Sequence, residues 1–343
     1  MSSLLDPAIL FFLFGIAAGL MRSNLEVPPA IARFLSLYLL MALGLKGGFA
    51  LAKTGLGGEV AASLACAVAL AVLVPLLGYR LLQRWLPPFD AAAVAATYGS
   101  VSAVTFITAV QFLDTQGLAH GGHMAAAMAL MESPAIVMAV LLATLLRRQA
   151  MAGAAAPAVL AVGGGAAALG GGGGAPAPLP GLKKVLHESF TDGAQLLLLG
   201  AMLVGLISGE AGAAAMRPFA GDLFKGMLAF FLLDMGLQTA RHLGGLRSLS
   251  PWLLGYGLLA PLVHAVLALG LAAAAGLSAG NGALLAVLAA SASYIAVPAV
   301  LRHAVPEARP AVYVGLSLGV TFPFNILLGI PLYTAAAQRL LGG

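Results

Sequence analysis

Long uninterrupted apolar runs dominate this chain, and few folds accommodate them. A helix needs about 20 apolar residues to cross roughly 30 Å of hydrocarbon. Cutting at charged, Gly and Pro clusters gives ten candidates: 8–21, 30–52, 60–82, 91–113 and 124–146, then 194–208, 223–243, 252–275, 282–303 and 311–335. The runs are too long and too continuously apolar for the alternating strands of a membrane barrel. Composition agrees: 61% of the 343 residues are hydrophobic and 8% charged, with mean hydropathy +1.01, against about 25% charged in soluble domains. That excludes most cytosolic enzymes, nucleic-acid binders and disordered regulators. The net charge of +5 is therefore no nucleic-acid footprint. Cys66 is the single cysteine, so neither an internal disulfide nor a Cys-based metal site is expected. The start, MSSLLD, lacks a basic region, so the first apolar run reads as a retained helix.

Residues 1–146 and 186–343 each hold five spans. Between them, 147–185 opens with Arg147-Arg148, passes through Ala/Gly/Pro-rich sequence and closes with Lys183-Lys184. That composition predicts a flexible linker. Arg22, Arg33, Arg80, Arg84, Arg147, Arg148, Lys183, Lys184, Arg241, Arg247, Arg302 and Arg309 fall on one face of the layout. Lys46, Lys53, Arg217, Lys225 and Arg339 fall on the other. The positive-inside rule then puts the linker in the cytoplasm and both termini outside a cell (inner) membrane.

Four stretches recur in the same order at offsets of 189–194. They match Gly44 to Gly236, Pro29 to Pro218, AATYGSVSAV (95–104) to AASASYIAVP (289–298), and Pro134 to Pro323. Five spans is an odd number, so the second repeat must enter the membrane inverted. Inverted repeats are a transporter architecture, with the substrate held at interrupted helices near the midplane. The expected fold is an all-α polytopic membrane protein of ten helices in two inverted five-helix repeats, broken in helices 4 and 9.

The interruptions are Tyr98-Gly99-Ser100-Val101-Ser102 with Thr105, and Ser291, Ser293, Tyr294 and Pro298. Lipid cannot satisfy a freed backbone, so such breaks must face protein or a hydrated cavity. A half-helix N-terminus flanked by hydroxyls suits an anion. Freed carbonyls and hydroxyls suit Na⁺, which prefers oxygen. Neither break contains Lys or Arg, which favours a small, releasable anion. Gly99, Ser100, Ser102, Thr105, Ser291 and Ser293 are the candidate substrate contacts. Any one of these serines reads better as a small packing residue; the matched pair of breaks reads better as a site.

Glu132 and Asp234 lie inside spans, where ionisable groups are costly and functional by default. With Tyr294 and Asn325 they are the candidates for holding the coupling cation. Glu132 also fits a place near the membrane surface, and Asp234 a structural pairing with Arg241, with Gln238 on the same face. Lys46 fits a snorkelling lysine. His120 and His123 form HGGH without a third ligand, and no Walker, HExxH or nucleophile-elbow pattern is present.

The chain resembles the sodium-dependent bicarbonate transporter family known from cyanobacteria, the SbtA-like permeases. The resemblance lies in VPPAIARFLSLYLLMALGLKGGFAL, YGSVSAVT, MESPAIV, LLDMGLQTARHLGGLR, YGLLAPLVHA, LAASASYIAVPAVLRHAVPEARPAVYVG and GIPLYTAAAQ, and excludes the linker. It implies core and gate domains, a homotrimer, and bicarbonate and Na⁺ sites at the broken helices. By position, Gly99, Ser102, Thr105, Ser291 and Ser293 match the family's small and hydroxyl residues, and Glu132 stands in an Asp-x-Pro position. The chain departs where the family pattern is Asp-Ile-Ser-Gly-Pro-Pro-Thr: here it is Tyr294-Ile295-Ala296-Val297-Pro298-Ala299-Val300. The resemblance also implies a small PII-like regulator, for which the short neutral linker gives no support.

The favoured reading is a secondary transporter importing a small anion, bicarbonate first, by sodium symport and without a cofactor. One alternative couples another small anion to protons through Glu132 or Asp234. Another is a membrane receptor or scaffold that binds without transporting. An enzyme is the weakest reading.

Overall fold

In the computed structural model, the described residues are 6–55, 57–155, 193–243 and 249–342. They form helices and no strand. In chain order these are α1 (Pro7–Leu20), α2 (Pro29–Thr54), α3 (Gly58–Leu82), α4 (Pro88–Gly99), α5 (Ala103–Gln116) and α6 (Met124–Ala155). Then come α7 (Gly193–Met216), α8 (Phe224–Leu243), α9 (Pro251–Ala274), α10 (Ala279–Ala290), α11 (Ala296–Ala304) and α12 (Pro310–Leu341). Among the described residues, six segments are long and apolar enough to cross a membrane. Residues 147–155 continue α6; the rest of the expected linker lies outside the described residues.

Sequence signals explain the element ends. Pro opens α1, α2, α4, α9 and α12, because its missing N–H is an orphan in the first turn anyway. Asp6 and Ser250 cap α1 and α9 through their side chains. Gly209 adopts a positive φ of 56° and kinks α7 there. Residues 217–222 and two segments of α12, 317–321 and 325–329, are π-helical. Such bulges shift the register of the faces on either side.

The helices sort into two bodies. α1 packs on α8 and α2 on α7, forming a four-helix panel. The core groups α3, α4 and α6 with α9, α10 and α12, crossed by α5 and α11. Within the panel, Gly15 meets the Leu233 carbonyl and Gly236 Cα, while Gly205 meets the Leu45 carbonyl and Gly48 Cα. A Cβ at Gly48 or Gly236 would overlap a facing carbonyl oxygen. Small residues at helix crossings in lipid permit this close backbone approach. Gly44 likewise faces α7, where a Cβ would overlap the Leu198 carbonyl oxygen.

At the centre of the core, Asp90–Gly99 of α4 and Gly280–Ala290 of α10 are buried on every face. A helix apolar all round belongs in such an interior. Both stop in mid-protein.

Candidate functional site

The two stopping points meet. α4 ends at Gly99 and α5 begins at Ala103; α10 ends at Ala290 and α11 begins at Ala296. Gly99 allows the first turn-off, because a Cβ there would run into the ring of Pro75 in α3. Two hydrogen bonds lace the breaks together. The Ser102 amide donates to Ser291 Oγ at 3.0 Å, and the Ser293 amide donates to the Thr97 carbonyl at 2.8 Å.

Ser102 caps α5, and Ser293, ahead of α11, bonds that helix's first turn. Ser102 Oγ accepts from the Thr105 amide at 3.2 Å and the Thr105 hydroxyl at 3.0 Å. Ser293 Oγ accepts from the Val297 amide at 3.3 Å. Ser100, Ser102, Thr105, Ser291 and Ser293 are all buried. The crossing therefore gathers two helix N-termini, with partial positive charge, and two C-termini, with partial negative charge and freed carbonyls. An anion fits the first pair and a hard cation the second. The six expected substrate contacts come together here.

The four expected cation residues spread further. Asn325 reaches the crossing: its amide donates to the Ala290 carbonyl at 2.8 Å and its oxygen accepts from Tyr333 at 2.9 Å. Its chemistry thus goes first into holding the end of α10. Tyr294 turns from the second break toward the panel, where its hydroxyl meets Met235 Sδ at 3.6 Å and its ring packs edge-on to Phe322. Asp234, beside Met235 on α8, is buried and accepts from Gln238 at 2.8 Å. Arg241 acts on it from further along the helix, so the expected pairing is replaced by the amide hydrogen bond. Glu132 is half-buried two turns into α6, a helix packed on α3, α4 and α11.

Clamps that the sequence reading missed hold the first half-helices at their outer ends. Asp90 accepts from the Arg309 amide at 2.7 Å and from its guanidinium at 2.8 Å. Asn281 accepts from the Gly121 amide at 2.6 Å and donates to Glu59 at 2.8 Å. Asp90 and Asn281 stand 191 positions apart, which was the available signal.

A cavity of about 520 Å³ separates α2 of the panel from α5 of the core. It runs from Asp114 and His120 to Phe106, the residue after Thr105, and so leads to the first turn of α5. Lys46 enters it from α2, 3.6 Å from Asp114 and 4.2 Å from the Phe224 ring centre, so it is paired rather than merely snorkelling. His120 also meets Asp114, at 3.0 Å, whereas His123 bonds Ser63 Oγ at 3.1 Å. The HGGH histidines thus diverge, and no metal-binding cluster occurs among the described residues.

A family model described as the Na⁺-dependent bicarbonate transporter superfamily matches residues 7–338. No curated protein matches the chain. The chain belongs to the Na⁺-dependent bicarbonate transporter superfamily and is a multi-pass membrane protein.

Proposed function

We propose that this superfamily member imports bicarbonate by symport with Na⁺, moving its broken-helix core against the panel in alternating access. The observation that carries the proposal is the mutual bonding of the two breaks, Ser102 to Ser291 and Ser293 to Thr97. It brings two N-termini to one buried point without a fixed cationic side chain. Bicarbonate is held by the first-turn amides of α5 and α11 and the hydroxyls of Ser100, Ser102, Thr105, Ser291 and Ser293, with Gly99 opening the turn.

Na⁺ takes the freed carbonyls at the ends of α4 and α10. Tyr294, Asn325, Asp234 and Glu132 are the candidates to complete its shell or link it to the panel. Asp234 replaces by position in space the carboxylate that the chain lacks after Ser293. No chemical conversion and no cofactor is involved; Na⁺ is cargo.

The architecture we infer is ten spans in two inverted repeats, 1–146 and 186–343, joined by a cytoplasmic linker, with both termini outside and three chains per assembly. Support comes from paired contacts: Gly15–Gly236 corresponds to Gly205–Gly48, and Asp90–Arg309 to Asn281–Gly121. Labelled bicarbonate uptake into proteoliposomes tests the function. An inward Na⁺ gradient at fixed pH should drive accumulation. Accumulation driven by a pH gradient alone would replace Na⁺ with H⁺, and binding without flux would indicate a receptor.

A further inference from the structure

α5 carries different chemistry on its two faces. Phe106, Val110 and Asp114 recur every four residues and line the 520 Å³ cavity against α2, together with Lys46 and His120. Thr108, Gln111 and Thr115, spaced three and four apart, lie on the other face. There they line a second, smaller cavity of about 80 Å³, shared with Ile9 of α1, Leu228 of α8 and Ile326 of α12. That volume has room for several waters. It too separates panel from core, so α5 meets one helix pair of the panel on each side.

The hydroxyls of the smaller cavity are acceptors only. The Thr108 hydroxyl donates to the Val104 carbonyl at 2.8 Å, and the Thr115 hydroxyl to the Gln111 carbonyl at 2.8 Å. The Gln111 side-chain amide donates to Thr115 Oγ1 at 3.3 Å. With their hydrogens turned back into α5, the hydroxyls offer the cavity lone pairs. Asp6 adds a carboxylate, itself paired with Lys225 at 3.0 Å. Among the described residues no Lys, Arg or His lines this cavity, whereas Lys46 and His120 line the larger one. Oxygen acceptors of this kind suit a hard cation and give an anion nothing to accept from.

The cavity also points at the cation end of the crossing. Ile326 in its wall follows Asn325, which holds the Ala290 carbonyl at the end of α10. Thr108 stands one turn from Thr105, where α5 leaves the break. We infer that Na⁺ reaches the crossing along the Thr115–Gln111–Thr108 face of α5, while bicarbonate approaches along the opposite face through the larger cavity. The two ions then share one helix but not one passage. The inference rests on the symport reading above and adds the route and the residues that admit the cation.

The test measures uptake by the full-length protein in proteoliposomes, varying each ion with the other saturating. Thr108→Val keeps the shape and removes the oxygen, so Na⁺ entry falls behind turnover when Na⁺ is scarce. The Na⁺ concentration for half-maximal uptake should rise about tenfold, the scale of one polar contact to a charged partner. The bicarbonate value should stay put, and Thr108→Ser should restore the Na⁺ value. An unchanged Na⁺ dependence in Thr108→Val, or an equal shift for both ions, overturns the inference while leaving symport standing. Should Thr108→Val fail to insert, Gln111→Cys and Ala119→Cys, each with Cys66→Ser, report the two cavities directly. A cationic thiol reagent should modify Gln111→Cys faster than an anionic one of equal size, and Na⁺ alone should slow it. At Ala119→Cys, in the larger cavity, the order of the reagents should reverse. The same order at both positions, or no slowing by Na⁺, overturns the inference. Wild-type uptake indifferent to Na⁺ overturns the symport reading and this inference together.

Discussion

Ser102 works in two directions: its amide reaches the other half of the chain at Ser291, and its hydroxyl caps its own helix at Thr105. Ser291→Ala leaves the Ser102 amide buried and bare, a cost of about 1–3 kcal/mol. Ser102→Ala removes a cap worth about 1 kcal/mol. Both variants should reach the membrane at normal levels and transport more slowly, as uptake normalised to surface protein will show. His123 gives a pH signature, since it lies ahead of α6 in the outer clamp beside Ser63, Glu59 and His120. Burial holds its imidazole below the usual 6.5. The unfolded chain therefore binds the proton first, and stability present above pH 6.5 declines as pH falls toward the lower folded value. The melting temperature should drop between pH 7.5 and 5.5, and less so in His123→Gln. The serines, the glycine and the threonine were legible because hydroxyl and Gly residues stand out in an apolar run. Asn281 and Asp90 were not, because their meaning lies in partners more than a hundred positions away.

At the scale of elements, the panel and core touch through few polar contacts. Lys46–Asp114 crosses from panel to core, whereas Lys225–Asp6 stays inside the panel and Arg147–Glu307 and Arg309–Asp90 inside the core. Both partners of the crossing pair are partly exposed, so its strength is on the order of 0.2–1 kcal/mol. Asp114→Asn should change the transport rate by no more than a few-fold and shift the balance of panel–core positions, seen as altered distance distributions between spin labels on α2 and α5. The glycine crossings are firmer. Gly48→Leu or Gly236→Leu should force α2 from α7 or α8 from α1 and lower the melting temperature markedly, whereas Gly55→Ala, with open space around it, tests only its positive φ of 74°. Helix existence and both breaks could be read from apolar length and from Gly, Ser and Pro. Register could not, since Gly44 and Gly48 lie on one face a turn apart and both pack on α7. The π-turns of α12 left no sequence trace beyond Pro323 and Pro331.

For the whole molecule, membership of a bicarbonate transporter superfamily stands beside a panel, a core, and two breaks bonded to each other where the core's helices stop. The cavity between α2 and α5 leads toward that point from one side. Trp85 and Trp252 stack 6.2 Å apart and exposed at the ends of α3 and α9, the kind of paired indoles that favour the headgroup level. The central claim is that the anion sits where the breaks meet. It is tested by replacing Cys66 with Ser, introducing Ser293→Cys, and timing modification by a small charged thiol reagent. Bicarbonate with Na⁺ should slow the modification in proportion to the sites occupied, and neither ion alone should do so fully. A rate indifferent to both ions at saturating concentration would contradict the claim.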